Sequence, residues 1–149
     1  MKTVLITGGT GLVGKRLTSL LLEKGYQVTI LSRKIDKLQK NGPVRYATWD
    51  VEKQTIDLDA IQSADYIIHL AGAGVVAKRW TDSYKKEILE SRTKSSKLIS
   101  DSLKNHPNKV KAVVSSSAIG WYGPDKTPAK PFIEDDEPAT DFLGQTCVS

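Results

Sequence analysis

The sequence has little cysteine and no long apolar run. Cys147 is the single cysteine in 149 residues, so no disulfide can form within one chain, which is typical of a reducing compartment. No stretch approaches the roughly 18 apolar residues that a membrane helix needs. The N-terminus, MKTVLITGG, has neither the apolar core nor the cleavage site of a secretory signal. We therefore expect a cytoplasmic protein with no membrane partner.

Charge of both signs is present, but it is unevenly distributed. The net charge is +5, residues 132–149 hold five acids and no base, and residues 78–111 hold ten bases and four acids. The basic region raises the alternative of a nucleic-acid binder, whose affinity would depend on salt. No nucleic-acid recognition motif accompanies it, so these runs favour solvated faces and we expect no nucleic-acid partner.

Short apolar runs alternate with segments of helical character along the chain. The predicted strands are residues 3–7, 27–31, 44–48, 66–70 and 110–115. The predicted helical segments are residues 12 to about 24, 34–40, 56–61 and 82–103, with the start of a further helix in 139–149. This alternation predicts an α/β fold, a Rossmann-type doubly wound parallel sheet of about five strands in three αβα layers.

Two of the predicted helices carry apolar residues at helical spacing. In the longest one, a stripe at spacing three, four and seven predicts a buried face made of Tyr84, Ile88, Ser95, Leu98 and Ser102. In the first one, the residues with helical spacing are Leu12, Val13, Leu17, Leu20 and Leu21, and Gly25 ends the helix.

A glycine-rich segment, ITGGTGLVGKR, follows the first predicted strand. Gly9, Gly14 and Lys15 match the start of the G-x-x-x-x-G-K loop that binds nucleoside triphosphates. That loop needs Ser or Thr at the next position, because the hydroxyl binds Mg²⁺, and Arg16 stands there instead. The triphosphate interpretation therefore fails at its metal ligand.

The same segment fits a dinucleotide fingerprint, as G-x-G-x-x-G from Gly9 or as G-x-x-G-x-x-G from Gly8. Gly8 would form a tight turn, Gly11 would let a pyrophosphate approach the backbone, and Gly14 would let the helix pack close to the strand. The N–H groups at the start of the helix would then face the phosphates. A glycine turn without a ligand is the alternative.

The end of the second predicted strand carries no acid. NAD-binding proteins place Asp or Glu there for the ribose hydroxyls, whereas this sequence has Ser32, Arg33 and Lys34, and its first acid is Asp36. Arg33 and Lys34 would pair with a 2′-phosphate, and Ser32 would donate a hydrogen bond to it. We expect NADP(H) to be preferred over NAD(H), with a solvated Arg33 as the alternative.

Taken together, these motifs resemble a known superfamily. TGGTGLVG, DYIIHLAGAG at 65–74 and SSSAIGWYG at 115–123 are similar to motifs of the extended short-chain dehydrogenase/reductases. LSRK and RWTDSYKKEILESR resemble its NAD-dependent epimerase branch, also labelled nucleoside-diphosphate-sugar epimerases. The resemblance implies cofactor contacts at Thr10, Gly11, Leu12, Val13, Ser32, Arg33, Leu70, Ala71, Gly72, Glu87 and Arg92. For Glu87 and Arg92, the residues alone favour a surface pair on a helix.

The superfamily's catalytic groups are a Ser or Thr after the fifth strand and a Tyr-x-x-x-Lys on the next helix, where the Lys lowers the pKa of the Tyr. By this resemblance Ser117 is the candidate catalytic hydroxyl, with Ser115 and Ser116 as competitors. Capping of the strand end is the alternative role for these serines.

No helical Tyr-x-x-x-Lys follows Ser117 in the sequence. Tyr122 and Lys126 have the spacing, but the intervening Gly-Pro pair forbids a regular helix there. The resemblance puts Leu143 and Cys147 in the places of the Tyr and the Lys, and Cys147 has no local base to make it a nucleophile. His69, at a buried strand end, is predicted to be a packed core residue rather than a catalyst.

The resemblance implies the N-terminal half of a longer protein, with one NAD(P)-binding domain over 1–149 and a long substrate-side loop over 117–138. We expect the NADP(H)-binding domain of an epimerase- or reductase-like oxidoreductase, with no metal and with a nucleotide sugar or small carbonyl compound as substrate. The alternative is a non-catalytic NADP(H)-binding sensor. We expect little turnover from this chain alone, and a homodimer through an open sheet edge or an exchanged C-terminal segment.

Overall fold

The computed structural model describes residues 1–35, 42–125 and 130–149. Most of the predicted helical turn over 34–40, together with Asp36 and Lys126, lies outside the described residues. The chain divides into two compact units, Met1–Ser115 and Ser116–Ser149. Within the described ranges, no helix is long and apolar enough to cross a membrane.

The first unit is built on a six-stranded sheet. Its strands are β1 (Thr3–Thr7), β2 (Gln27–Ser32), β3 (Val44–Asp50), β4 (Thr55–Ile56), β5 (Tyr66–His69) and β6 (Ala112–Ser115). They lie in the order β4-β3-β2-β1-β5-β6, and all neighbouring pairs are parallel except β3 with β4. Five parallel strands around a central β1 confirm the predicted doubly wound fold.

Helices cover both faces of this sheet. They are α1 (Leu12–Glu23), α2 (Leu58–Ser63) and α3 (Asp82–Asn105). Because side chains alternate along a strand, Val4 and Ile6 of β1 pack in the cluster that α1 covers, whereas Leu5 packs in the cluster that includes α2 and α3. Full burial of an Ile or Leu side chain contributes about 1.5–3 kcal/mol. These two clusters give the three αβα layers that the sequence predicts.

The helix boundaries follow local signals. Asp57 caps α2 by accepting a hydrogen bond from the N–H of Ala60, and Thr81 caps α3 by accepting one from the N–H of Tyr84. After α1 the chain turns at Gly25, whose φ is +77°. The helix predicted over 56–61 is shifted by two residues and spans Leu58–Ser63, because Ile56 belongs to β4 and the Asp57 cap starts the helix at Leu58.

The predicted stripe on α3 is confirmed, since all five of its residues are buried, together with Ile99. In α1 the stripe is only partly buried. Leu17 and Leu21 pack against the sheet, but Leu12, Val13 and Leu20 are exposed. Leu12 and Val13 stand in the first turn of the helix, next to the glycine segment.

The second unit contains a 3₁₀ turn, Ile119–Trp121, and the helix α4, Phe142–Val148. Asp141 caps α4 by accepting a hydrogen bond from the N–H of Gly144. The indole N–H of Trp121 donates to the carbonyl of Asp136 at 2.9 Å, and the ring of Tyr122 stacks on that of Phe132 with 5.0 Å between centroids. The predicted start of a helix in 139–149 is confirmed.

Candidate functional site

The strand order places a crevice at the carboxyl ends of β1 and β5. From β1 the chain adds β2 and β3 on one side, and then returns to add β5 on the other side of β1. Thr7 and His69, the last residues of the two strands, are partners in the parallel ladder. In open α/β sheets, ligands bind in the crevice outside such a reversal. The glycine segment follows Thr7 directly, and residues 70–74 follow His69.

The glycine turn leaves no room for side chains at two positions. Gly8 has φ +70°, and a Cβ atom on it would stand 2.9 Å from the carbonyl carbon of Leu70. A Cβ atom on Gly14 would stand 2.6 Å from the Cα of Gly9. Gly11 differs: its N–H donates to the carbonyl of Gly8 at 3.0 Å, and its Cβ position is crowded by that oxygen alone, at 3.3 Å, among described atoms beyond its chain neighbours. Gly11 therefore borders open space.

The N-terminus of α1 opens into the same space. Gly11 is the N-cap residue, and no side chain in the described part of the chain caps the helix. The unpaired N–H groups of a first turn attract anions, and the helix dipole adds to this attraction. Leu12 and Val13 are 90% and 65% exposed, and Thr10 is exposed beside them. These residues have the exposure that contact with a ligand would need.

The end of β2 carries an exposed cation. Arg33 is solvent-exposed, and it lines a cavity of about 530 Å³ with residues of β3, β4 and their connection. The described residues that follow Ser32, 33–35, include no Asp or Glu. The Ser32 hydroxyl donates to the carbonyl of Lys34 at 3.0 Å, so it would have to turn to reach a ligand. The β3–β4 hairpin, which no sequence pattern predicted, forms part of this cavity wall.

The segment after β5 is held by hydrogen bonds from both sides. The Thr7 hydroxyl oxygen accepts from the N–H groups of Leu70 and Ala71, both at 3.2 Å. The N–H of Ala73 donates to the Ser91 hydroxyl at 2.9 Å, and Arg92 donates to the carbonyl of Ala73 at 3.2 Å. The backbone that the resemblance assigns to the ribose side is thus fixed by β1 and by α3.

The two candidate cofactor-binding residues on α3, Glu87 and Arg92, have different surroundings. Arg92 reaches the end of β5, and its guanidinium carbon would lie 3.1 Å from a Cβ atom on Gly72. Glu87 instead forms an exposed ion pair with Lys78 at 3.0 Å. Lys78 also lies over the ring of Tyr84, 4.9 Å from its centroid. Arg92 supports the edge of the crevice, and the Glu87 carboxylate is engaged with the preceding loop.

His69 is buried, as predicted for a core residue, with 5% of its surface exposed. Its ring contacts the hydroxyls of Thr7 and Ser95 and meets Trp49 edge to face, with centroids 6.4 Å apart. Burial lowers the pKa of the imidazole. No sequence pattern signals these contacts, because Thr7 and Ser95 lie 62 and 26 residues away.

The second unit holds the candidate catalytic hydroxyl. Ser117 and Ser116 are exposed, as is Ser115 at the end of β6 in the first unit. Leu143 and Cys147 lie one turn apart on α4, and the Cys147 thiol is 3.8 Å from the carbonyl of Ala118. Gly123 has φ +71° and follows the 3₁₀ turn and its cap residue Tyr122, and the described residues 122–125 form no regular helix.

Comparison with protein families gives a match over nearly the whole chain. The family model described as the NAD dependent epimerase/dehydratase family matches residues 4–143. An epimerase family protein of Staphylococcus saprophyticus is 34% identical over 125 residues, which are 84% of this chain and 40% of that protein. One from Staphylococcus haemolyticus is 36% identical over 124 residues. The chain spans about 40% of the length of these curated relatives.

Solved structures with a similar fold include dinucleotide complexes. A human epimerase family protein, SDR39U1 isoform 2, solved with NADPH, is 30% identical with a TM-score of 0.79, covering 98% of this chain and 46% of that one. A nucleoside-diphosphate sugar epimerase from Corynebacterium glutamicum is 32% identical with a TM-score of 0.73, covering 99% and 29%. MoeE5, solved with UDP-glucuronic acid and NAD, is 26% identical with a TM-score of 0.76, covering 98% and 46%.

Proposed function

Because the chain belongs to the NAD dependent epimerase/dehydratase family, we propose that it is the NADP(H)-binding domain of an epimerase- or reductase-like oxidoreductase. The observation that carries the proposal is the uncapped N-terminus of α1 at Gly11, which stands at the crevice between β1 and β5. A pyrophosphate there would accept hydrogen bonds from backbone N–H groups and would be favoured by the helix dipole. Gly11 leaves the space that its approach needs.

The preference for NADP(H) rests on the end of β2. Arg33 is exposed and lines the cavity, and described residues 32–35 hold no carboxylate, although Asp50 and Asp57 also line that cavity. An Arg forms charge-assisted hydrogen bonds with phosphate oxygens in a planar fork. The human relative was solved with NADPH and MoeE5 with NAD, so both cofactors occur among similar proteins. The choice of NADP(H) for this chain therefore rests on Arg33.

The substrate proposal is a nucleotide sugar or a small carbonyl compound. Its support is the similarity to the nucleoside-diphosphate sugar epimerase and to MoeE5, whose structure holds UDP-glucuronic acid. Within this chain, Ser117 is the residue we propose to hydrogen-bond the reacting oxygen, as the hydroxyl of the superfamily does. A Ser117→Ala variant of the full-length protein that retains turnover would remove Ser117 from this role.

A second candidate function is a cofactor-binding protein without catalysis. It is favoured by Leu143 and Cys147, four residues apart on α4, which the resemblance puts in the places of the proton-transferring Tyr and Lys. Neither side chain carries the phenol or the ammonium of that pair. A protein that binds the dinucleotide but neither reduces aldehydes and keto sugars with NADPH nor oxidises or epimerises sugar nucleotides with NADP⁺ would favour this second candidate.

Isothermal titration calorimetry of the chain with NADPH and with NADH tests the cofactor proposal. We expect both to bind and NADPH to bind about ten- to hundredfold more tightly, the range for hydrogen bonds to a charged group. Equal affinities would remove the assignment to NADP(H), and the absence of binding by either dinucleotide would contradict the function itself.

A further inference from the structure

A chain of hydrogen bonds links β1 to α3 through the imidazole of His69. Its Nδ1 lies 2.6 Å from Oγ1 of Thr7, and its Nε2 lies 3.1 Å from Oγ of Ser95. All three side chains are buried. A hydroxyl can donate or accept a hydrogen bond, so the other neighbours of each hydroxyl decide which ring nitrogen carries the proton.

The Thr7 hydroxyl is the first determinant. Its oxygen accepts hydrogen bonds from the N–H groups of Leu70 and Ala71, both at 3.2 Å, the first of which is shared with the carbonyl of Thr7. A hydroxyl has two lone pairs and one proton. Since both lone pairs face N–H donors, the Thr7 proton points at Nδ1 of His69. Nδ1 is therefore the unprotonated ring nitrogen.

The Ser95 hydroxyl is the second determinant, and it indicates the same tautomer of His69. Its oxygen lies 2.6 Å from the carbonyl of Ser91 and 3.0 Å from the carbonyl of Arg92. Carbonyl oxygens only accept, so the Ser95 proton points at them and a lone pair faces His69. Nε2 therefore carries the ring proton and donates it to Ser95. Burial, which lowers the pKa of His69, favours this neutral ring as well.

The direction of these hydrogen bonds matters at the crevice. Thr7 immediately precedes Gly8, whose Cβ position is 2.9 Å from the carbonyl carbon of Leu70. The Thr7 hydroxyl thus holds the Leu70–Ala71 backbone against the glycine turn. If Nδ1 carried a proton, two donors would face each other, and the Thr7 hydroxyl would have to give up one of the two amides.

We propose that His69, as the neutral Nε2-protonated imidazole, is a positioning residue for the dinucleotide site, because it fixes the Thr7 hydroxyl toward the amides of Leu70 and Ala71. The inference rests on the proposed function. His69 acts through Thr7, and its connection to Ser95 ties the crevice to α3. Simple filling of the core next to Trp49 is the competing explanation for a buried His.

Two amide variants separate these explanations. The carboxamide of Asn falls near Nδ1 of a His, whereas that of the longer Gln reaches Nε2. His69→Asn therefore keeps an acceptor for the Thr7 hydroxyl, and His69→Gln loses it while keeping a group near Ser95. We expect the NADPH dissociation constant to stay within about twofold for His69→Asn and to rise about three- to tenfold for His69→Gln. Core filling alone predicts the reverse order, because Asn leaves the larger cavity.

The single variants of Thr7 provide an arm of the test that does not depend on how the His69 variants fold. Thr7→Val removes the hydroxyl at nearly constant shape and should weaken NADPH binding about as much as His69→Gln, whereas Thr7→Ser should bind like the unmodified chain. In the Thr7→Val/His69→Gln double variant the effects should not add, because both break one connection. Thermal unfolding confirms that each variant is folded at the binding temperature. Full additivity, or equal binding by Thr7→Val and Thr7→Ser, would overturn the inference.

The tautomer is measured without a cofactor, by ¹⁵N NMR of the imidazoles at neutral pH. His106→Gln leaves His69 as the single His and assigns its signals. We expect Nε2 to be protonated and Nδ1 bare; the opposite tautomer or an imidazolium would overturn the inference. If the chain binds NADPH and the two amide variants bind equally, the inference alone fails. If the unmodified chain binds no dinucleotide, the proposed function fails and the inference fails with it.

Discussion

A Cβ atom on Gly14 would stand 2.6 Å from the Cα of Gly9, inside the turn that connects β1 to α1. Real Cβ atoms do not come so close to backbone, so the first turn of α1 and the glycine segment share their space only because residue 14 has no side chain. Gly11, three residues earlier, has no such constraint. Two glycines of one motif therefore serve different ends, one for packing and one for access to the crevice.

We expect Gly14→Ala and Gly11→Ala to fail in different ways. Gly14→Ala should lower the free energy of unfolding by about 1–3 kcal/mol, the cost of forcing atoms into a packed region. Gly11→Ala should unfold at the same denaturant concentration as the parent chain, because its φ of −75° suits alanine, but should bind NADPH about tenfold or more weakly. Gly11→Val should abolish binding in a folded chain. Retained binding by Gly11→Val would leave the segment as a turn without a ligand.

Sequence pattern predicted the central elements because their signals are local. The run from Thr3 to Thr7 is apolar, ends at glycines and forms β1 over those residues. The two-residue strand β4 was missed, since Thr55 and Ile56 are too few to show a period, and its partner in the hairpin is set by tertiary pairing. The contacts of His69 were equally invisible, because they join residues that only the folded sheet and α3 bring together.

Removing the charge of Arg33 should remove the preference between cofactors. In Arg33→Ala we expect NADPH affinity to fall about ten- to hundredfold and NADH affinity to stay nearly constant, because only the 2′-phosphate pairs with the guanidinium. Arg45→Ala is the matched control, since it removes the same charge from an exposed residue of β3. A control variant that loses NADPH affinity as strongly would point to net charge rather than to a contact, and calorimetry at two salt concentrations would show this.

Stability should depend on pH through His69. Burial lowers the pKa of this His in the folded chain below its ordinary value of 6.5, so the unfolded chain binds more protons once the pH falls below that value. The free energy of unfolding should therefore be constant with respect to this group above about pH 6.5 and should decrease as the pH falls below it. The slope for one proton cannot exceed about 1.4 kcal/mol per pH unit.

Urea unfolding between about pH 7.5 and 5 measures this slope, because that range spans the ordinary pKa of a His, about 6.5. We expect His69→Asn to flatten it. The Asp65 carboxyl does not interfere, because the backbone N–H of Thr3 and the nearby Lys109 hold its pKa below the ordinary value of 3.8. Its contribution is lost only as the pH falls below that value. An unchanged slope in His69→Asn would contradict the assignment.

Self-association through β6 is expected from its position and exposure. β6 is the last strand on its side of the described sheet, and Val113 and Val114 are 45% and 61% exposed. Unpaired strand edges with apolar side chains favour pairing with a second copy. Light scattering should show a mass that rises with concentration, and Val114→Lys should lower it. A constant monomeric mass over the whole concentration series would contradict this expectation.

Catalysis by this chain alone should be very weak, because no described helix carries a Tyr-x-x-x-Lys pair to move a proton. Tyr donates or accepts a proton beside the nicotinamide in the superfamily that the motifs resemble, and the resemblance puts Leu143 and Cys147 of α4 in the places of the Tyr and the Lys. The thiol of Cys147 lies 3.8 Å from the carbonyl of Ala118, an acceptor that cannot serve as a general base. NADPH oxidation with aldehydes and keto sugars, and NADP⁺ reduction with sugar nucleotides, should therefore stay at the no-enzyme rate, while calorimetry of the same sample shows bound cofactor. Turnover on the order of 1 s⁻¹ or more, an ordinary enzymatic rate, would show that another group supplies the proton.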